Sequence, residues 1–257
     1  MSLLSQVKSA KQNRPRRVIL YGVEGIGKST WAAGAPSPIF ISTEDGISDI
    51  DVPAFPQATE FANVMQATYE LSREDHQFKT VVLDSADWFE KFIFSQVCTD
   101  TGAKTINDPY NNEVNYGKGY DLAMVLWDAW IELADRCRDR GMNVVLIAHC
   151  HTPKFKDPSN ESYNRYEPKM HKTTSERIRE WCDEVLFANY ETYTQEKTEG
   201  FSKRTIAVGT GSRVLYTTEM PSHKAKNRLG MPPTISMNPQ EYWSYAEGEK
   251  NGEATGE

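Results

Sequence analysis

The stretch RVILYGVEGIGKST, Arg17 to Thr30, decides the fold. Val18 to Tyr21 is an uninterrupted apolar run of strand length, as expected for a strand covered on both faces. It runs into Gly22, Val23, Glu24, Gly25, Ile26, Gly27, Lys28 and Ser29, which satisfy the phosphate-loop pattern G-x-x-x-x-G-K-[ST] in full. The run KSTWAAGA, Lys28 to Ala35, can begin a helix, and Thr30 on it completes the expected nucleotide-binding residues. Gly22, Gly25 and Gly27 let the backbone turn tightly, so that its N–H groups face phosphates, and the helix start adds partial positive charge. Lys28 is expected at the β- and γ-phosphates and Ser29 on Mg²⁺. The implied ligands are ATP and Mg²⁺.

A second apolar run, TVVLD, ends on Asp84, which is expected to hold the metal directly or through a water; Asp87 is the alternative. Many ATP-hydrolysing phosphate-loop proteins follow this Asp with a Glu that activates water. Here Ser85 follows, so the base must come from elsewhere. The segment SPIFISTEDG supplies it. Pro38 to Ser42 reads as a strand, and Glu44 lies just past its carboxyl end. In an open parallel sheet that edge lines the ligand crevice. Glu44 is therefore the expected general base, and the alternative is a solvated loop acid.

Residues 120–140 carry apolar side chains at helical spacing, with Gly141 as the stop. The tryptophans there are read as core. Val144 to Ala148 then reads as a central parallel strand ending at the polar His149, which by itself reads as a strand-end hydrogen-bonding residue. Beyond it, residues 151–179 hold seven Lys or Arg against four carboxylates, a net +3 in a chain of net charge −7. Phe155, Tyr163 and Tyr166 are interleaved with these cations. Lys154, Lys156 and Arg165 are the candidate contacts to single-stranded DNA, since cations track phosphates and rings stack on bases. A merely solvated loop is the alternative. The Asn-, Gly- and Tyr-rich stretch 101–120 is nearly neutral and reads as a second loop of open role.

From Glu184 the pattern becomes antiparallel strands, followed by Lys226-Asn227-Arg228-Leu229-Gly230. Lys226 and Arg228, with Lys224 as a third, are cations close together near the end of the core; by themselves they read as a surface basic turn.

These motifs, in this order over residues 16–235, resemble the RecA-like ATPases. The resemblance rests on the displaced Glu44, the Asp84-Ser85 pair, the polar His149 and the KNRLG stretch, which is similar to the KNRFG motif of the RadA core. Asp-Ser departs from the Asp-Glu usual in AAA+ ATPases. The overall length and order look most like phage-encoded RecA-like proteins of single-strand annealing. The resemblance implies an α/β, mainly parallel sheet flanked by helices, with antiparallel strands at its carboxyl end. It further implies a γ-phosphate sensor at His149 and, at Lys226 and Arg228 with Lys224 as a third, cations that reach a neighbouring subunit's γ-phosphate. It also implies DNA-stimulated ATP hydrolysis in recombination or annealing, a ring or filament of identical subunits, and a single-strand binding protein as a possible associate. The competing classes are a small-molecule phosphate-loop kinase, which needs an Arg-rich lid, and a nucleotide-gated assembly module without DNA contact.

Composition bounds the rest. A chain of 257 residues is long enough for one full α/β core. No apolar run is long enough to span a bilayer, and the basic start is not a signal peptide. The four cysteines lack metal-ligand spacing and are expected reduced, in a cytoplasm, the host's if the chain is phage-encoded. The expected divisions are a basic leader over 1–15, a core over 16–237, and an acidic, disordered tail over 238–257. The cations Lys8, Lys11, Arg14, Arg16 and Arg17 read as a DNA arm, a subunit link or a solvated lead-in.

Overall fold

The computed structural model describes residues 7, 14–156, 161–199 and 202–248, with the main chain alone at 192–199 and 202–210. The sheet is built outward from β1 (Arg17–Gly22), which pairs in parallel with β4 (Asn143–His151) on one side and with β8 (Glu184–Glu199) on the other. Beyond β4 lie β3 (Thr80–Asp84) and then β2 (Pro38–Ser42), both parallel. Beyond β8 lie the antiparallel β9 (Ser202–Tyr216) and β10 (Thr234–Ser236). The strand order is β10-β9-β8-β1-β4-β3-β2. β8 thus begins as a parallel member of the central sheet and only later becomes half of a hairpin, a distinction that alternation in the sequence does not carry.

The continuous apolar runs follow from two covered faces. In β1, Ile19 and Tyr21 join one core while Val18 and Leu20 join the other. The first core packs against α2 (Phe61–Arg73), α3 (Ala86–Thr101), α4 (Lys118–Asp139) and α5 (Lys172–Trp181). Trp127 and Trp130 of α4 are fully buried there, and the Trp130 indole donates to Thr68 Oγ1 at 3.1 Å. The second core packs against α1 (Lys28–Ala33) and α6 (Pro239–Ala246), where Trp31 meets Tyr242 and Trp243. Truncating such a tryptophan costs about 3–5 kcal/mol.

Helix α6 corrects the expected tail: residues 239–246 belong to the folded core. Asn238 caps the helix through a bond from Gln240 N, and Pro239 occupies its first turn, a start signal masked by the acidic composition around it. The start of the chain needs the same correction. Arg16 pairs with buried Glu184, Arg17 with Asp183 and Asp135, and Arg14 with Asp139, so these three cations serve internal ion pairs, not an arm. Lys8 and Lys11 lie outside the described residues. The 101–120 stretch is a built loop. Asp108 accepts from the N–H groups of Lys104 and Tyr110, and Asn107 from that of Gly117, ahead of a 3₁₀ turn at Asn115–Gly117. Two-residue strands β5 (Lys154–Phe155) and β6 (Tyr163–Asn164) form a hairpin, and β7 (Glu167–Pro168) pairs with the end of β4. Among the described residues no helix is long and apolar enough to cross a membrane, and all four cysteines are free.

Candidate functional site

The carboxyl ends of β1, β2, β3 and β4 converge on one cleft of about 400 Å³. The loop after β1 turns through Gly25 at φ +69° and Gly27 at φ +99°, values that disfavour L side chains. Ile26 between them is fully buried in the core and anchors the loop, leaving its backbone for the cleft. Gly22 serves differently: its neighbour is Ala188 of β8, whose main chain lies where a Cβ would sit. Val23 is half-buried, and Glu24 points to solvent. The Lys28 ammonium is buried and donates to Gly22 O at 3.2 Å and Val23 O at 3.1 Å. Burial lowers its pKa against the opposing pull of Asp84. Ser29 Oγ donates to Asp84 Oδ2 at 2.6 Å, and burial of the Asp84 carboxyl raises its pKa more than this bond lowers it. A hydroxyl and a carboxylate this close are the hard oxygen donors that Mg²⁺ prefers, so the pair fits the expected metal. Thr30, on the first turn of α1, also lines the cleft.

Glu44 stands across from this pair, three-quarters buried, and its Oε1 accepts from Ser85 Oγ at 2.7 Å. The residue that replaces the usual glutamate after Asp84 therefore holds the displaced one. The two loops are clamped as well. Thr43 Oγ1 donates to Ser85 O at 2.9 Å and accepts from Ser85 N at 2.8 Å, and Thr43 N donates to Asp84 O at 2.7 Å. His149 completes the floor, its Nδ1 3.9 Å from Glu44 Oε1 and 3.0 Å from Asp87 Oδ2. Asp87 also accepts from His149 N at 3.0 Å. The hydrogen bond that His149 donates to Asp87 raises the His149 pKa, and burial only partly opposes it. Burial pushes the Asp87 carboxyl up, but the His149 bonds outweigh it and hold the group below the ordinary carboxylate range. Asp87 is thus committed to His149, and Asp84 is the acid beside Ser29. Sequence reading missed Thr43, Ser85 and the Asp87–His149 pair. Their sole signal is adjacency to motif residues.

A second cavity, about 510 Å³, opens beyond β4 and is lined by cations from several elements, among them Lys154, Lys156, Lys172, Arg179 and Lys224. Arg165 is different from Lys154 and Lys156. It is 6% exposed, donates to Glu167 Oε1 at 2.7 Å, and lies 3.9 Å over the Phe155 ring. That buried, paired cation cannot present its charge to a DNA backbone as expected; it fixes the β5–β6 hairpin instead. Lys154 is exposed and carries no such partner among the described residues, and Lys156 is exposed at the rim of the segment.

The KNRLG stretch lies at the other edge of the sheet. Lys226 pairs through its backbone with Val185, near the start of β8 and far from the phosphate loop. Its ammonium donates to Arg179 O, Glu180 O and Cys182 O at 2.9, 3.1 and 2.5 Å, satisfying carbonyls at the end of α5. Lys226 as a projecting cation is corrected by that geometry. Asn227 closes the turn by accepting from Leu229 N at 2.9 Å. Arg228 is half exposed and shares Asp183 at 3.1 Å. Lys224 pairs with Glu219 at 2.7 Å.

Two comparisons bear on this geometry. A family model described as an AAA domain (AAA_24) matches residues 14–229. The SPbeta prophage-derived uncharacterized protein YorG of Bacillus subtilis (strain 168) is 22% identical over 144 residues, covering 54% of this chain and 42% of that protein. The chain therefore matches less than half of that relative's length. The Asp84-Ser85 pair does not separate the chain from proteins so described.

Proposed function

The chain belongs to the AAA-domain family of phosphate-loop ATPases, and from that premise we propose that it couples Mg²⁺-dependent ATP hydrolysis to single-stranded DNA held in the basic cavity. The observation that carries this reading is the shared carboxyl end of β4. His149 lines the nucleotide cleft, and His151, two residues on, lines the cavity of Lys154 and Lys156. Helix α3 spans the same two regions. Asp87 holds His149, and Glu90, three residues later, accepts from His171 N at 2.8 Å at the start of α5.

In the cleft, the loop N–H groups and Lys28 bind and orient the phosphates. Ser29 and Asp84 would hold Mg²⁺, which neutralises charge on the β- and γ-phosphates. Glu44, oriented by Ser85, takes the proton of the water attacking the γ-phosphorus, and the bond to the β–γ bridging oxygen breaks to release ADP and phosphate. His149 donates from its cleft side to the γ-phosphate region, with Asp87 fixing its ring. Lys154 and Lys156 track the DNA backbone. The protein assembles as a ring or filament on that strand and serves recombination or annealing, with Arg228 the remaining cation able to face a neighbouring subunit. The phage link in this reading is supported by the prophage relative.

The test is the ATPase rate with and without single-stranded DNA, in wild type and in Lys154→Glu/Lys156→Glu. The expected result is stimulation in wild type, unchanged basal turnover in the variant, and loss of its stimulation together with the steep salt dependence of binding. A wild-type rate indifferent to DNA, with no binding at low salt, refutes the DNA half of the proposal and leaves the ATPase.

A further inference from the structure

We propose that Arg213 is a second cation of the nucleotide site, one that holds the α- and β-phosphates from the side opposite the hydrolytic groups. This inference rests on the reading of the cleft as a nucleotide site and adds a residue to it that no motif marks. Arg213 sits on β9, opposite Tyr190 of β8. Its Nη1 lies 3.1 Å from the position a Cβ on Gly27 would take, so the guanidinium rests on the phosphate loop itself. The side chain is exposed, and among the described residues it has no ion-pair partner.

The charge pattern makes this placement informative. Most arginines of the described residues, Arg16, Arg17, Arg138, Arg165 and Arg228 among them, reach a carboxylate, while Arg73 and Arg179 bond to groups of their own helices. Arg213 instead leans on a loop whose turn already gathers N–H donors and the Lys28 ammonium. An N–H-rich turn flanked by two cations is complementary to an anion with several oxygens, and a planar guanidinium suits phosphate oxygens in a two-pronged contact.

Sheet order decides which phosphates. Glu44 follows β2, Asp84 ends β3 and His149 is on β4, so every hydrolytic group approaches β1 from one side. Arg213 approaches from β9, on the other side. The γ-phosphate must face Glu44 and its water. The portion of the nucleotide toward β8 and β9 is then the part common to ADP and ATP. Arg213 is accordingly a binding residue for both nucleotides, distinct from a cation that senses the γ-phosphate.

The experiment is calorimetric titration of the full chain with Mg-ADP and with a non-hydrolysable Mg-ATP analogue, comparing wild type, Arg213→Gln, Arg213→Lys and Lys28→Ala. Inorganic pyrophosphate is added as a competitor. Arg213→Gln should weaken both nucleotides by a similar factor, roughly ten- to a hundred-fold for one lost charge-assisted contact. Pyrophosphate competition should weaken in parallel, and Arg213→Lys should recover part of the loss. Because the side chain is exposed, the melting temperature without nucleotide should stay at the wild-type value. Unchanged affinities, or a loss confined to the ATP analogue, overturn the inference, as does weakened nucleotide binding with pyrophosphate competition intact. If Lys28→Ala also binds like wild type, the nucleotide-site reading beneath it fails instead.

Discussion

Replacing Gly22 by alanine tests whether the phosphate loop is fixed by strand packing as well as by its own turns. Gly22 opens the motif, yet its φ is not among the positive values; those belong to Gly25 and Gly27. A Cβ on Gly22 would press into the carbonyl oxygen of Ala188 and lie 2.9 Å from the Ala188 Cβ and 3.0 Å from its carbonyl carbon. Two of these three atoms are backbone of a strand paired to β1, so they cannot swing aside. Overpacking of this kind costs about 1–3 kcal/mol, with the upper end expected where the obstacle is main chain. For a domain of this size each kcal/mol moves the melting temperature by about 2–4 °C, so the expected fall is roughly 2–12 °C. Thermal melting by circular dichroism measures it, with two controls. Gly46→Ala, which meets nothing within 4 Å, should melt like wild type. Gly25→Ala also meets nothing, but at φ +69° it should lose about 1–2 kcal/mol to backbone strain. If Gly22→Ala melts together with Gly46→Ala, the approach of β8 does not constrain the loop and the packing argument is wrong.

Three further outcomes are expected. Glu44→Gln should bind nucleotide as wild type does and lose turnover by roughly 10²-fold or more, and Ser85→Ala should lose less, because it removes only the hydroxyl that orients Glu44; normal hydrolysis in Glu44→Gln moves the base elsewhere, with Asp45 the next candidate. The His149 pKa is raised by Asp87, so the protonated ring persists above the ordinary histidine range and turnover should fall as pH rises through that raised value. By the same sign, the pair's contribution to stability is complete below the ordinary histidine pKa, fades as pH rises through the raised one, and is lost at the acid end as Asp87 is protonated below the ordinary carboxylate range. Asp87→Asn should move the fall in turnover down toward the ordinary histidine range and remove the pair's contribution to stability, and pH profiles of rate and melting that match wild type would remove His149 from the site. Lys226→Met should destabilise the isolated subunit by about 1.5–3 kcal/mol, because three carbonyls at the end of α5 lose a charged donor; an unchanged urea midpoint with reduced turnover would restore Lys226 as a cation for a neighbouring nucleotide.

The parts of this protein that were legible in its sequence are those whose cause is local. The two-faced burial of β1, β3 and β4 appears as unbroken apolar runs, and the phosphate loop as a fixed spacing of Gly, Lys and Ser. Glu44 could be placed because a strand's carboxyl end has a known relation to the crevice, without knowledge of any contact. What stayed hidden depends on partners far along the chain. Glu44 and Ser85 meet across 41 residues, Asp87 and His149 across 62, and neither pairing leaves a period or spacing to read. Cations were the hardest class, since a positive charge in a list looks the same whether it faces DNA or a carboxylate. Arg165 turned inward because Glu167 and the Phe155 face lie beside it, and Lys226 because the last turn of α5 ends there with bare carbonyls. Counting charge over residues 151–179 therefore picked out a segment most of whose cations line one cavity, but mixed its exposed lysines with a structural arginine. The same reasoning runs in reverse at Arg213, where no local charge run drew notice. Only the pairing of β9 with β8, and of β8 with β1, brings that guanidinium to the phosphate loop.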